Sequence, residues 1–255
     1  MSHGRGRLTD VDHADDRRLD TVRALLAKAE ATEFPSEAEA FFAKASELIA
    51  RYAIDDALLW ADGDSGDAPD ELRLTVHAPY LAQKAVLVHA VAEAQGCRAV
   101  RLIASAGERR EQIAVVGFAS DLRWVETLVT SLLVQLTSAM LDQCPSGLTP
   151  SASAGWRRSF IVGFAEIVAD RLETDRRDRV VAHDGSASVS SSTALVLVER
   201  GEEVTVEFRR RFPRIRSSWA SSGSSRSGAA AGRRAGQEAS FGSRSVAGRR
   251  SLGPG

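Results

Sequence analysis

Leu19, Val22, Leu26 and Ala29 recur at three- and four-residue intervals in "DDRRLDTVRALLAKAEA", the spacing of one helix face. In "TEFPSEAE" the pattern breaks: Pro35 disfavours helix at Phe34, and Ser36 with Glu39 forms a capping box that predicts a new start. Along that second segment Ala38, Phe41, Phe42, Ala45, Leu48, Ile49 and Tyr52 make one apolar stripe. A helical hairpin over residues 15–60, after a disordered stretch at 1–14, is the expectation. "DGDSGDAPDE" has no periodicity, is acidic and contains Gly and Pro, so 61–71 reads as a linker.

Beyond it the period changes. "LRLTVH" reads as a strand, "YLAQKAVLVHAVAEAQ" as a helix closed by Gly96, and "CRAVRLI" with "EQIAVVGF" as a β-hairpin turned by "ASAGERR". Leu122, Val125, Leu128, Val129, Leu132, Leu133, Leu136 and Met140 line a long helix that starts at Ser120 or Asp121. Trp156, Phe160, Ile161, Phe164, Ile167, Val168 and Leu172 line another. "ETDRRDRVVAHDGSASVSSST" reads as a loop, and "ALVLVE", "RGE" and "EVTVEF" as a second hairpin. The expected class is α+β: a helical hairpin, then a small antiparallel β plus three-helix domain over 72–216, and an Arg/Ser/Gly-rich tail over 217–255.

Charge separates along this layout. From Phe208 to Gly255 there are eleven Arg, no Lys and one acid (Glu238), a balance of +10; Met1–Glu207 carries 22 basic and 33 acidic residues, a balance of −11. Opposed blocks of this kind suit either a basic arm for a polyanion or a tail lying on its own acidic body. No apolar run approaches the ~20 residues that cross a bilayer, so no membrane partner is expected. The first residues carry no secretory pattern, and Cys97 with Cys144 makes neither a disulfide framework nor a paired-Cys zinc site. A cytoplasmic protein is expected.

Candidate chemistry is sparse. In "GAAAGRRAG", Gly228, Gly232 and Gly236 stand four apart, but no Lys-Ser/Thr follows, so a phosphate loop gives way to a close-packing helix face or a flexible tail. His77, His89, Cys97 and Asp121 are the residues from which a metal-dependent hydrolase or nuclease site would be assembled, although their spacing specifies no tetrahedral set. Cys97 otherwise reads as a small buried hydrophobe. At "GFASD" a strand gives way to a helix, where backbone N–H groups can hold an anion or where Ser120 or Asp121 caps the helix. "FRRRFPRIRSSW" interleaves Arg209, Arg210, Arg211, Arg214 and Arg216 with Phe208, Phe212 and Trp219. Guanidinium groups for phosphates and rings for unpaired bases suit nucleic acid, with Arg233 and Arg234 adding charge. In the competing reading, Phe208, Phe212 and Ile215 dock on the core while the arginines meet the body's carboxylates. The leading expectation is a non-enzymatic, cofactor-free binding protein for nucleic acid or an acidic partner. A structural protein with a self-docking tail stands beside it.

"LLAKAEAT" at 25–32, "PSEAEAFFAKASEL" at 35–48 and "YAID" at 52–55 resemble a bacterial and phage family, domain of unknown function 2786. "GCRAVR", "VVGFASD", "WRRSFIVGFAEIVADRL" and "AAGRRAG" resemble the region that commonly follows it. The resemblance implies the layout and brings no reaction or catalytic residue.

Overall fold

The computed structural model describes residues 6–32, 35–63, 66–103, 108–186, 193–215 and 223–239. They form α1 (Gly6–Ala31), α2 (Pro35–Ala61), β1 (Pro69–His77), α3 (Leu81–Ala94), β2 (Arg98–Leu102), β3 (Arg110–Phe118), α4 (Ala119–Gln143), α5 (Pro150–Ser186), α6 (Thr193–Arg211) and α7 (Arg226–Glu238). The class is α+β. The described residues divide into two units, one within residues 6–49 and one within residues 50–239, and α2 contributes to both.

In the first unit, Leu19, Val22, Leu26 and Ala29 of α1 are buried, as are Ala45 and Ile49 of α2. The break is held by Thr32 Oγ1 donating to Glu37 Oε2 at 2.9 Å, and Lys28 Nζ lies 5.8 Å from the Phe41 ring centre. Pro35 is the first residue of α2, where its missing N–H costs nothing. Ser36 therefore lies inside the helix and does not precede it as a cap.

The second unit is built on a three-stranded sheet of order β1-β3-β2. Both outer strands are antiparallel to β3, so β1 and β2 run parallel with β3 between them and α3 as their connection. Ile113 to Phe118 are buried at every position, odd and even, because α3, α4 and α6 all pack against the central strand. A strand covered on both faces loses alternation and becomes a continuous apolar run. At the end of α3, Gly96 takes φ +77 and donates to Glu93 O at 3.0 Å, while Cys97 N donates to Ala92 O at 2.9 Å. This pair of bonds closes the helix with a left-handed glycine and feeds Cys97 directly into β2.

Leu122, Val125, Leu128, Val129, Leu132, Leu136 and Met140 bury the predicted face of α4. Among the described residues α4 is the one helix long and apolar enough to cross a membrane by length and composition alone, and 44% of its apolar window is buried within the protein.

Three further expectations are corrected. α5 runs on to Ser186, through most of the segment read as a loop from Glu173. The second hairpin is a single helix, α6: its buried positions Thr193, Val196, Arg200 and Val204 follow helical spacing, and the alternating valines that suggested strands leave Leu195, Val198 and Val206 exposed. Within the segment read as a tail, residues 226–238 form α7, capped by Ser225 Oγ accepting from Gly228 N at 3.1 Å. α7 lies parallel to α5. Gly228 faces Trp156, Gly232 faces Phe160 and Gly236 faces Phe164, so the glycines are the close-packing face of a helix.

Candidate functional site

The register brings four chain segments to one end of the sheet. Pro69 of β1 pairs with Phe118, and Arg98 of β2 pairs with Val116. The entries to β1 and β2 and the exit from β3 into α4 therefore lie together. Asp67, Cys97, Ser120 and Asp121 occupy those positions, and α6 supplies Arg200.

Arg200 is 4% exposed. Its Nη2 donates to Asp121 Oδ2 at 3.0 Å, to Ser120 Oγ at 3.3 Å and to Asp67 Oδ2 at 3.4 Å, and Ser120 Oγ donates to Asp67 Oδ2 at 2.6 Å. The guanidinium lies over two aromatic rings, 3.7 Å from the Phe118 ring centre and 5.7 Å from that of Trp60. Nη1 is buried with no partner among the described residues. Burial pushes the Asp121 carboxyl above its ordinary value while Arg200 pulls it back. Ser120 and Asp121 do not cap α4: the helix starts at Ala119, its cap residue Phe118 makes no side-chain cap bond, and both side chains serve the Arg200 cluster. A charge taken this far from water needs pairing, and here one cation is shared between two carboxylates from separate segments. The cluster fixes α6 and the entry to β1 against the start of α4.

Cys97 stands beside this cluster, 2% exposed. A Cβ on Gly117 would overlap its Sγ, so the two strands meet closely only because residue 117 is glycine. Burial and the nearby Asp121 push the thiol well above its usual range, the opposite of an activated nucleophile. Cys144 is partly exposed. Treating the native protein with a thiol-specific disulfide reagent should therefore modify Cys144 alone, with Cys97 reacting only after unfolding. Rapid modification of two thiols in the native state would contradict this packing.

His77 ends β1 opposite Arg110, at the far end of the ladder from Asp121. Eight residue steps separate those ends, about 27 Å at strand rise. His89 is exposed on α3 with Nε2 3.4 Å from Glu93 Oε1. His77 and Cys97 also lie at opposite ends, because β1 and β2 are parallel. Of the four residues considered for metal, only Cys97 and Asp121 come together. No group of three or more His, Cys, Asp or Glu among the described residues is placed to hold a metal ion.

At the end of α6, Arg209 and Arg210 are exposed, as is Arg214 beyond it. Arg210 Nε donates to Glu207 Oε2 at 2.7 Å, and Arg211 Nε donates to Glu207 Oε1 at 2.5 Å, with Asp70 and Glu71 at 3.4 and 3.6 Å from its Nη atoms. Hydrogen bonds from Arg210 and Arg211 lower the Glu207 carboxyl to about 2. Phe208 and Phe212 pack against Val116, Phe118 and Val204 and are not free platforms for bases. Arg233 of α7 pairs with Glu166 at 3.2 Å, and Arg234 is exposed. Arg216 and Trp219 lie outside the described residues.

Asp67 and Arg200 escaped sequence reasoning. A helical reading of 193–204 would have found Arg200 as the one charge among the apolar positions; the hairpin reading put it in a turn.

These features define an α+β protein with a β-α-β sheet split by a central antiparallel strand and a buried Arg–Asp–Asp–Ser cluster at one sheet end. Residues 17–56, the larger part of α1 and most of α2, match the family described as protein of unknown function (DUF2786). The match does not extend to the following region. No curated protein and no solved structure matches the chain.

Proposed function

We propose that this is a cytoplasmic, non-enzymatic binding protein that contacts the phosphate backbone of nucleic acid through the C-terminal end of α6. The observation that carries the reading is the placement of Arg209, Arg210 and Arg214 at an exposed helix end, held there by Phe208 and Phe212 anchored in the core. Guanidinium groups so presented fit phosphate oxygens. With both phenylalanines packed inward, base stacking contributes less than the sequence pattern suggested, so duplex and single strand should bind comparably.

The test is fluorescence anisotropy with single- and double-stranded DNA and RNA at several salt concentrations. Arg209→Ala/Arg210→Ala/Arg214→Ala should lower the slope of log affinity against log salt by about 2 to 3 on duplex DNA, near 0.9 per lost phosphate contact. An unchanged slope, or no wild-type binding at low salt, overturns the reading. Deletion after Arg211 is the poorer experiment, because it removes α7 from its seat on α5.

The ion pairs of Arg210, Arg211 and Arg233 favour a second reading, in which the basic segment serves its own fold. Exposed pairs contribute only ~0–1 kcal/mol each. Loss of stability in Arg210→Ala/Arg211→Ala/Arg233→Ala, without any nucleic-acid binding by wild type, would support it.

A further inference from the structure

Between α3, α5 and α6 runs a groove of about 860 Å³, within the size range of small-molecule sites. Val86 and Ala90 of α3, Ala169 and Val180 of α5 and Leu197 of α6 make its walls apolar. Three carboxylates on the rim are already matched: Glu93 by His89 and Arg98, Glu166 by Arg233, and Glu173 by Arg177. Arg176 also lines the groove and is differently placed. Its Nη1 donates to Ala94 O at 3.0 Å, and no carboxylate among the described residues forms an ion pair with it. Its charge is felt by Asp121 and Cys97 without an ion pair to either. A half-buried guanidinium with donors left over, at the edge of an apolar groove, is complementary to an acid head on a hydrocarbon body.

We propose that this groove binds an amphipathic carboxylate, with its chain along Val86, Ala169 and Leu197 and its head on Arg176. The occupant is a single small molecule, and the site is separate from the arginines at the end of α6.

Isothermal titration calorimetry of the full chain with decanoate, decanol and decylamine, each below its aggregation threshold, tests it. Decanoate should bind saturably at one site, with decanol at least tenfold weaker and decylamine weaker again. Arg176→Gln should reduce decanoate to the affinity of decanol, and Ala169→Phe, which fills the groove, should remove binding of both. Equal affinities for the three head groups, or no saturable decanoate binding by wild type, overturn the proposal. That comparison uses wild type alone and holds even if a variant fails to fold. Decanoate binding that survives Ala169→Phe in a folded variant overturns the location.

Discussion

Gly232→Ala should destabilise the protein by about 1–2 kcal/mol, although alanine is the better helix former by nearly 1 kcal/mol. The sign is decided by space. A Cβ at this position would overlap the carbonyl of Phe160 and stand 2.9 Å from its Cα, so the obstacle is α5 backbone, which cannot rotate away. Gly228 and Gly236 face α5 in the same way, one turn before and after. Overpacking a fixed contact costs ~1–3 kcal/mol, which exceeds the propensity gain. Gly201 gives the control: it also lies inside a helix, but an added Cβ there meets nothing within 4 Å. Gly201→Ala should therefore stabilise by about 0.5–1 kcal/mol. Chemical denaturation of both variants checks the pair. If the two substitutions shift stability in the same favourable direction, α7 is not seated on α5 as described.

The glycine spacing was visible in the sequence, but its meaning depended on whether 226–238 was helical and on what lay opposite. α4 and the early part of α5 were easier to find, since their buried positions repeat with helical period over several turns. β3 was legible for a different reason: a continuous apolar run next to turn residues fits a strand covered on both faces. α6 misled because its valines alternate, a local pattern that suits a strand, while the positions that face the core are set by tertiary contact. Sequence pattern is a weak prior where the two disagree. That error hid the cluster, since Arg200 has a buried partner set only when 193–211 is one helix. Asp67 was hidden by its place in an acidic linker, among carboxylates that differ only in what faces them. The helical hairpin was legible both from its apolar stripes and from the family match over residues 17–56.

Arg200→Met should cost about 3–5 kcal/mol at pH 7, because it leaves two largely, though not fully, buried carboxylates facing each other without their cation. For a domain of this size that corresponds to a fall in Tm on the order of 10 °C. Methionine keeps most of the side-chain volume against Phe118 and Trp60, so the loss reports charge more than packing. The pH dependence gives an independent check. In wild type the Asp121 carboxyl is already raised by burial, with Arg200 opposing the shift. Removing Arg200 removes the opposition and raises the carboxyl further. A carboxyl whose folded value exceeds its unfolded value of about 4 penalises folding when ionised, and the penalty fades as pH falls through the folded value. The gap between Arg200→Met and wild type should be full at pH 7 and narrow steadily toward pH 4. Asp121→Asn in the Arg200→Met background should recover part of the loss at pH 7, since it deletes one of the uncompensated charges. A gap that is small at pH 7, or that widens on acidification, would mean that Arg200 does not neutralise Asp67 and Asp121 in the folded protein.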